Sequence, residues 1–287
     1  MNTLAVIFGD IKLAHTIFAL PYALISAHLA FDGKYDFVKL LLVLACMFFA
    51  RSAAMSFNRY ADSSFDAENP RTEKRSIPSG KVKKGQMLMF TIISSVLFII
   101  AAFFLNRLCF YLSFPTVVIL LSYSYSKRFT VSTHLWLGLA LAIAPVGAWV
   151  AVRGSFDIGP IILSGAVLTW VAGFDVIYAL QDIDFDKTKG MFSIPAKFGP
   201  SSALNVARVL HFGTILLLLI FGNYFNLGLA YWVGFGIVTL LLLVEHGMVK
   251  PDDFSKIGYA FFTINGIVSV LLLISVMIDK PYFMAKS

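Results

Sequence analysis

Residues 85–105 read GQMLMFTIISSVLFIIAAFFL, a run of 21 positions without a charged side chain. A helix needs roughly 20 predominantly apolar residues to cross the hydrocarbon core of a bilayer, so this stretch predicts a membrane span. Apolar runs of this kind recur along the chain, and we interpret about nine of them as spans. Their approximate limits are 11–30, 37–60, 85–105, 108–125, 132–152, 158–181, 200–222, 227–245 and 257–278.

The composition also indicates a membrane protein. Hydrophobic residues make up 59% of the 287 positions and charged residues 14%, against roughly 45–50% and 25% in an ordinary soluble domain. So few charges could not cover a water-exposed surface of this size, which argues against the soluble class. We predict an all-α fold, a polytopic bundle of transmembrane helices, with residues 1–287 in a single domain. Because Lys12 and His15 lie inside the first run, we do not interpret it as a cleaved signal peptide.

The distribution of basic residues predicts the orientation in the membrane. One set of loops carries most of them: Arg71, Lys74, Arg75, Lys81, Lys83, Lys84, Lys127, Arg128, Lys187, Lys189, Lys197, Lys250 and Lys256. The other side carries Lys34, Lys39, Arg107, Arg153, Lys280 and Lys286. The richer side is expected to be cytoplasmic, which places the N-terminus inside. We expect the protein to lie in the cell inner membrane. The net charge of +7 then reflects topology and anionic lipid, and we expect no nucleic-acid partner.

Cysteine and histidine give little functional signal. Cys46 and Cys109 both fall in apolar runs, so the sequence predicts neither a disulfide framework nor a cysteine metal site. His15 is placed where it could hydrogen-bond inside a polar cavity, although a satisfied interfacial histidine is the more common case. The other four histidines show no pairing in the sequence: His28, His134, His211 and His246.

Two polar segments begin where apolar spans end in carboxylates. Residues 58–66 read NRYADSSFD and open a polar loop over roughly 61–84; residues 175–186 read DVIYALQDIDFD and open a second over roughly 182–199. At about 100° per helical residue, Asn58, Asp62 and Asp66 share one face. Asp175, Asp182 and Asp186 line up in the same way, whereas Asp184 points to the opposite side. The repetition of this pattern hints at internal pseudo-symmetry.

This pattern of acidic residues is typical of a magnesium–diphosphate site. Two facing carboxylate clusters would repel each other unless a cation lay between them, and Mg²⁺ prefers one or two carboxylates, several waters and substrate phosphates. The alternative is that the acids are solvated loop residues, which is the usual explanation for a single Asp at a helix end. Two stripes with matched geometry favour the cation site. The expected metal ligands are Asn58, Asp62, Asp66, Asp182 and Asp186.

Basic and aromatic residues near these acids suit the binding of phosphate. Arg71 could bind phosphate oxygens in bidentate fashion, and Tyr123 and Lys127 lie four residues apart on one predicted helix face. Arg51 is different, because it lies two turns inside an apolar helix and should meet an anion there. We expect that anion to be the carboxylate of a substrate or an Asp of the bundle. The other basic residues of these loops are interpreted as topology signals: Lys74, Arg75, Arg128 and the run Lys81–Lys84.

The two segments resemble the paired signatures of the UbiA family of intramembrane prenyltransferases. The family's first pattern is matched by Asn58, Asp62, Asp66, Arg71 and Thr72, and its continuation resembles Arg75–Gly80 (RSIPSG). Its second pattern is matched by Asp175, Tyr178, Asp182 and Asp186, and its intervening Tyr-x-x-x-Lys by Tyr123 and Lys127. The resemblance extends from His15 to the last span. The segments FDVIYALQD and SIPAKFG are most similar to the 4-hydroxybenzoate polyprenyltransferase branch.

The resemblance implies a fold, an activity and a set of site residues. The fold would be a helix bundle around a central cavity with its mouth on the cytoplasmic side. The activity would be Mg²⁺-dependent transfer of a polyprenyl chain from its diphosphate to 4-hydroxybenzoate or a related hydroxynaphthoate, in ubiquinone or menaquinone biosynthesis. The implied catalytic carboxylates are Asp62, Asp66, Asp175, Asp182 and Asp186. The implied substrate-binding residues are Asn58, Arg71, Tyr123, Lys127 and Tyr178. Arg51 is added to them from its position inside the apolar helix, as the candidate ligand of the acceptor carboxylate. No obligate protein partner is evident.

Two other classes of membrane protein share part of this pattern. A secondary transporter also carries repeats and intramembrane charge, but its sites tend to lie near the midplane on helices broken by Gly or Pro. Here the charge is concentrated at helix ends, and Pro21, Pro115 and Pro145 do not flank it. A lipid phosphotransferase of another fold also uses Mg²⁺ and Asp residues, but its usual Asp-Gly-x-x-Ala-Arg segment is absent from this sequence.

Overall fold

The computed structural model describes residues 3–11 and 13–280, apart from the side chains of residues 13–15, and every regular element in that part is helical. The predictions on Lys12 and on the His15 side chain lie outside the described residues. The α-helices are α1 (Thr3–Asp10), α2 (Leu20–Phe31), α3 (Phe37–Ala61), α4 (Ser63–Glu68), α5 (Lys84–Leu105), α6 (Arg107–Ser126), α7 (Thr133–Arg153), α8 (Ile158–Tyr178), α9 (Ile183–Lys189), α10 (Ile194–Tyr224), α11 (Leu229–Met248), α12 (Ile257–Tyr259) and α13 (Asn265–Asp279). Short 3₁₀ turns cover Leu13–Phe18 and Ala179–Asp182, and a π-helical turn covers Ala260–Ile264.

Eight helical segments of the described chain are long and apolar enough to cross a membrane. They agree with eight of the predicted spans; the segment Ile158–Lys189 joins α8 to α9, and Ile257–Asp279 joins α12 to α13. Large apolar side chains on these helices are exposed, for example Val209 (70%) and Leu229 (79%). In water such surfaces would be a liability, and in a bilayer they face lipid. The prediction of an all-helical, multi-pass membrane protein is confirmed.

The first predicted span, 11–30, is not one continuous helix. A 3₁₀ turn ends at Phe18 and α2 begins at Leu20, with Pro21 in its first turn. Proline has no N–H and a fixed φ, so it suits the start of a helix and interrupts one that would run through it. At 1.5 Å per residue the 12 residues of α2 extend about 18 Å, which is shorter than the roughly 30 Å of a hydrocarbon core.

One compact unit comprises residues 1–16 and 38–125 and contains α1 and α3–α6. In it α3 and α5 are joined by a hydrogen bond of 2.8 Å between the hydroxyls of Ser56 and Thr91. Buried hydroxyl pairs of this kind hold helices together where lipid supplies no hydrophobic driving force between them. Phe57 of α3 also packs edge-on against Tyr125 of α6, with ring centroids 5.7 Å apart. These contacts fix the helix that carries the first acidic segment.

A second compact unit comprises residues 17–37 and 126–287 and contains α2 and α7–α13. Within it α8 packs along α7 and α10, α2 packs on α7, and α11 packs on α13. Its core holds the largest fully buried side chains of the unit, Trp170, Tyr22, Tyr231 and Phe221. The helix that carries the second acidic segment is therefore packed on several sides within its own unit.

A buried polar network crosses the second unit on helices α8, α11 and α13. The indole of Trp170 donates to the Asn265 side-chain oxygen at 2.7 Å, and the Asn265 amide donates to Glu245 Oε1 at 2.8 Å. The same amide donates to the Ala260 carbonyl at 3.1 Å, at the start of the π-helical turn. Glu245 is fully buried, and a carboxyl group in that position requires such donors.

The network continues through two histidines. His211 donates from Nε2 to the Trp170 carbonyl at 3.2 Å, and its Nδ1 lies 3.0 Å from Nε2 of His246. The ring of His211 lies directly over Gly173, where a Cβ atom would come within 2.4 Å of it. The prediction that His211 and His246 have no pairing is wrong, because helical neighbours in sequence do not reveal partners on other helices. His28 also has partners, the Tyr35 hydroxyl and the Lys280 carbonyl.

Candidate active site

The first acidic segment keeps its helical register although α3 ends at Ala61. The Asp62 N–H donates to the Asn58 carbonyl at 2.9 Å, and the Asp66 N–H donates to the Asp62 carbonyl at 2.8 Å. These i to i+4 bonds continue across the break between α3 and α4. The Asn58 side chain donates to Asp62 Oδ2 at 3.0 Å, so these two residues share one face as their spacing predicts. The polar loop predicted from residue 61 therefore begins with a short helix.

Both carboxylates of this segment are buried. Asp62 is 2% exposed and Asp66 is 6% exposed. One oxygen of Asp66, Oδ1, accepts a hydrogen bond of 2.7 Å from Arg75, while its buried Oδ2 accepts none from the described residues. A buried carboxylate oxygen without a donor is costly, and a cation is the natural ligand for it. The interpretation of Arg75 as only a topology signal is wrong, because it forms an ion pair with this motif.

Two further residues of the first unit surround the motif. Arg59 is 5% exposed and donates to the Asn58 side-chain oxygen at 3.1 Å. Its guanidinium also donates to the Asp10 carbonyl at 3.3 Å and lies 3.6 Å from the Asp10 carboxylate. Neither Arg59 nor Asp10 belongs to a residue pattern that predicts a role. Arg59 adjoins the motif in sequence, but Asp10 is 49 positions away, and no spacing rule connects them.

Tyr123 and Arg51 lie close to this cluster within the first unit. The Tyr123 hydroxyl is 4.0 Å from the Met55 sulfur and within Coulombic range of Arg51, Arg59 and Asp62. Arg51 interacts electrostatically with the same tyrosine and with Arg59. The geometry thus brings together two residues that the sequence predicted separately as ligands of an acceptor carboxylate and of a phosphate. An anion of either kind would neutralise the partly buried Arg51 guanidinium, whereas the charge of Arg59 is already compensated by Asp10.

Arg71 lies in the turn that follows α4. Its N–H donates to the Asn69 side chain at 2.9 Å, and the N–H groups of Thr72 and Glu73 donate to the Asn69 carbonyl. Arg71 itself is exposed, whereas Thr72 is 4% exposed and donates to the Asp66 carbonyl at 3.2 Å. A well-defined turn therefore presents Arg71, and its phosphate-binding role remains a prediction.

The second acidic segment does not form one continuous α-helix. α8 ends at Tyr178, a 3₁₀ turn runs to Asp182, and α9 begins at Ile183. The prediction that Asp175 and Asp182 share one helix face assumes a continuous α-helix between them. The 3₁₀ turn has fewer residues per turn, so it changes the angle between the two side chains around the helix axis. Asp182 precedes α9 with non-helical dihedrals, φ −108° and ψ 9°. Asp184 is exposed, as expected for the acid that was set apart from the stripe.

Asp175 has a partner that the sequence analysis missed. His134 of α7, 2% exposed, places Nδ1 2.7 Å from Asp175 Oδ2. The other ring nitrogen, Nε2, accepts a hydrogen bond of 3.3 Å from the backbone N–H of Ile194. Because an N–H can only donate, this assigns the proton of the neutral ring to Nδ1, which donates to the carboxylate. The prediction that His134 is unpaired is therefore wrong.

Asp186 is held by the turn after α9. Ser193 donates from its hydroxyl to Asp186 Oδ2 at 2.9 Å, and the Met191 N–H donates to the Asp186 carbonyl at 2.8 Å. That turn passes through Gly190 at φ 64°, a left-handed conformation that favours glycine. Asp182 and Lys127 both interact electrostatically with the Asp186 carboxylate. α6 ends at Ser126, and Lys127 follows it directly. The Lys127 carbonyl accepts a hydrogen bond of 2.7 Å from the Phe192 N–H.

Tyr178 packs in a cluster of aromatic side chains. Its ring centroid lies 4.2 Å from that of Phe261, which in turn contacts Phe174 at 5.2 Å. Phe174 also meets Phe18 and Trp170, at 5.5 and 5.0 Å. Such a cluster is an apolar, polarisable surface next to Asp175.

The carboxylate and amide oxygens of the first acidic motif suit a hard divalent cation that also binds substrate phosphates. Among the described residues, no three His, Cys, Asp or Glu side chains converge into a complete metal cage. Mg²⁺ rarely uses such a cage and instead combines one or two carboxylates with waters and phosphate oxygens. The buried Asp66 oxygen without a donor and the paired Asn58–Asp62 side chains fit that requirement.

Comparison with known proteins assigns the family. The sequence profile of the UbiA prenyltransferase family matches residues 19–267. The chain belongs to the UbiA prenyltransferase family. The resemblance stated from the two acidic segments is thereby confirmed, and UbiA membership makes the chain a prenyltransferase.

Individual UbiA relatives agree with this assignment. A 4-hydroxybenzoate octaprenyltransferase of Neisseria meningitidis is 32% identical over 224 residues, which are 77% of this chain and 75% of that protein. The apo structure of a UbiA homolog from Aeropyrum pernix K1 has a TM-score of 0.84 at 29% identity and covers 93% of this chain and 98% of that one. A UbiA homolog from Archaeoglobus fulgidus bound to GPP and Mg²⁺ has a TM-score of 0.76 at 18% identity, with 96% and 99% covered. At that identity the likeness shows the fold alone.

Proposed function

We propose that this chain transfers a polyprenyl group from a polyprenyl diphosphate to an aromatic acid, 4-hydroxybenzoate or a related hydroxynaphthoate, in ubiquinone or menaquinone biosynthesis. The observation that carries the proposal is the buried first acidic motif, with a carboxylate oxygen that lacks a donor, in a membrane protein of the UbiA family. The Neisseria meningitidis relative, named a 4-hydroxybenzoate octaprenyltransferase, supports the choice of acceptor.

The diphosphate end of the reaction uses the two acidic motifs. We assign cation binding to Asn58, Asp62, Asp66, Asp182 and Asp186, and the cation to Mg²⁺, as in the Archaeoglobus fulgidus homolog. Bound Mg²⁺ would stabilise the negative charge of the diphosphate as the allylic C–O bond breaks. Arg71, Tyr123 and Lys127 would contact phosphate oxygens. Exposed Arg71, in the turn set by Asn69, is placed to do so without desolvation of its charge.

The aromatic end of the reaction rests on different residues. Arg51, close to Tyr123 and Arg59 in the first unit, would bind the carboxylate of the acceptor. Asp175 would polarise the acceptor hydroxyl or accept the ring proton, and His134 holds its carboxylate oxygen at 2.7 Å. Tyr178 would contribute to the apolar wall that keeps water from the allylic cation, together with Phe261 and Phe174.

The location of the reaction follows from the basic residues. The eight apolar helices and UbiA membership support a position in a membrane, which we assign to the cell inner membrane. The Lys and Arg distribution supports a cytoplasmic position for the acidic motifs. A water-soluble aromatic acid would reach such a site from the cytoplasm, while the prenyl chain stays in the lipid.

The test is an assay with the purified full chain in lipid nanodiscs. Labelled prenyl diphosphates of several lengths are supplied with Mg²⁺ and a panel of aromatic acids, and both pyrophosphate release and prenylated product are measured. The proposal expects product with 4-hydroxybenzoate or a hydroxynaphthoate and none after addition of EDTA. Product only with a non-aromatic acceptor, or turnover that persists without divalent cation, would refute it.

A further inference from the structure

The helix α1 ends in a carboxylate that the proposed reaction does not use. Asp10 closes α1, and its side chain is only 12% exposed. A carboxylate at the C-terminal end of a helix is disfavoured by the helix dipole, so this position requires compensation. We propose that Asp10 is a positioning residue that orders the first acidic motif for its cation through two connections, an ion pair with Arg59 and hydrogen bonds from Ser76. This inference rests on the proposed function, because it concerns the cation site assigned there.

The first connection runs through Arg59. The guanidinium of Arg59 lies 3.6 Å from Asp10 Oδ1 and donates to the Asp10 carbonyl at 3.3 Å. On its other side it donates to Asn58 at 3.1 Å, and Asn58 donates to Asp62 Oδ2 at 3.0 Å. The chain of contacts is continuous from Asp10 to a proposed metal ligand. It also fixes the orientation of the Asn58 amide, because Arg59 can bond only to the oxygen of that group.

The second connection runs through Ser76. Asp10 Oδ2 accepts hydrogen bonds from the Ser76 hydroxyl at 2.5 Å and from its backbone N–H at 3.3 Å. Ser76 follows Arg75, which donates to Asp66 Oδ1 at 2.7 Å. Because Ser76 is held in place, the backbone of the neighbouring Arg75 is also held, and with it the guanidinium that donates to Asp66. The other oxygen, Oδ2, is left for a ligand.

Charge gives a second reason for the role of Asp10. Arg59 is almost completely buried next to Asn58 and interacts electrostatically with Asp10 and Asp66. Without Asp10, its positive charge would be compensated mainly by Asp66, and it would compete there with a cation. With Asp10 present, Arg59 has a carboxylate partner outside the motif, and the negative charge of Asp66 remains available.

The hydrophobic packing of α1 keeps Asp10 in place. Ile7 and Ile11 lie on either side of Asp10 in sequence and are 2% and 0% exposed. They form a buried cluster with Val82, in the loop after Ser76, and with Met87 of α5. The family profile begins at residue 19, so α1 lies outside the part of the chain that defines UbiA membership. The two connections of Asp10 could not be read from the family motifs.

The experiment measures Mn²⁺ binding to the full chain in nanodiscs by electron paramagnetic resonance, without substrate. Outer residues that orient metal ligands typically change metal affinity by roughly 10- to 100-fold, so Asp10→Ala should weaken Mn²⁺ binding at least about tenfold. Ser76→Ala removes only the hydroxyl donor of the second connection and keeps the backbone N–H donor. It leaves no charge unpaired and should weaken binding by a smaller factor. Glu73→Gln removes one exposed charge from the same loop and should bind Mn²⁺ like the wild type.

Steady-state kinetics separate positioning from a general loss of structure. Asp10→Ala and Ser76→Ala should raise the Mg²⁺ concentration for half-maximal rate and the KM for prenyl diphosphate, while the KM for the aromatic acid stays unchanged. Wild-type Mn²⁺ affinity in both variants would overturn the role of Asp10 and leave the proposed function intact. Wild-type protein that binds no Mn²⁺ would overturn both. Wild-type protein that binds Mn²⁺ but prenylates no aromatic acid would refute only the proposed function.

Discussion

Removal of the His134 side chain tests whether Asp175 takes part in the reaction. His134 is almost fully buried, donates from Nδ1 to Asp175 Oδ2 at 2.7 Å and accepts from Ile194 at Nε2. His134→Ala removes the donor and leaves the carboxylate without its partner. His134→Asn retains an amide N–H near the position of Nδ1, because both nitrogens are attached to Cγ, and it removes the titratable ring.

The size of the effect follows from the kind of hydrogen bond. Hydrogen bonds to a charged group contribute roughly 1.5–3 kcal/mol. Each 1.36 kcal/mol of transition-state stabilisation corresponds to about a tenfold change in rate. If the Asp175 carboxylate polarises the acceptor or accepts its proton, His134→Ala should lower kcat by about 10- to 150-fold. His134→Asn should recover a large part of this loss.

The assay is single-turnover formation of prenylated product, with the KM for each substrate measured in parallel and the unfolding temperature recorded for each variant. A kcat for His134→Ala within twofold of the wild type would refute the role of this pair in the reaction. Equal losses in the Ala and Asn variants, accompanied by equal falls in unfolding temperature, would show that His134 only supports the packing of α7 on α8.

Three further predictions concern other parts of the chain. Asp62→Ala and Asp182→Ala should each reduce Mg²⁺-dependent turnover by roughly 100-fold or more, as measured by pyrophosphate release, because each removes a proposed ligand of the cation. Arg51→Ala should raise the KM for the aromatic acid by about 10-fold or more and leave that for prenyl diphosphate nearly unchanged, since a charged hydrogen bond is lost. Gly173→Ala should destabilise the protein by roughly 1–3 kcal/mol in thermal unfolding, because its Cβ would overlap the His211 ring.

Two of these predictions have a matched control variant, and the third has a result that would contradict it. Asp184→Ala removes an exposed acid from the same segment as Asp182 and should keep most of the turnover. Gly147→Ala adds a methyl group where no atom lies within 4 Å, and it should not lower the unfolding temperature. An Arg51→Ala variant with altered affinity only for prenyl diphosphate would reassign that residue to the phosphate end.

The sequence predicted the helices well because lipid imposes a simple rule. A span must be long, apolar and helical, so runs such as 85–105 are visible without any partner. The same rule fails for α2, because a 3₁₀ turn and Pro21 at its start limit this mostly apolar helix to 12 residues. The i to i+4 relation between Asn58 and Asp62 was also predictable, because it depends only on helical geometry.

Tertiary partners were not predictable in the same way. His134 and Asp175 are 41 positions apart and meet only because α7 packs on α8. Asp10 and Ser76 are 66 positions apart and meet through a loop of irregular structure. The 3₁₀ turn after Tyr178 depends on local backbone dihedral angles, which the pattern of apolar residues does not predict. Periodicity identifies which residues share a helix face, and packing decides which faces meet.

The short helix α2 has a consequence for the synthesis of the protein. Its 12 residues are too few to be retained in a bilayer by their own hydrophobicity, and ten of them are buried in the second unit. Its main contact is α7, which begins more than 100 residues later at Thr133. At a translation rate of roughly 5–20 residues per second, several seconds pass between the synthesis of α2 and that of α7, the helix on which it packs. We expect the insertion machinery to bind this segment during that interval. If synthesis stops before α7, α2 should remain unpacked and become a substrate for the proteases that degrade misfolded membrane proteins.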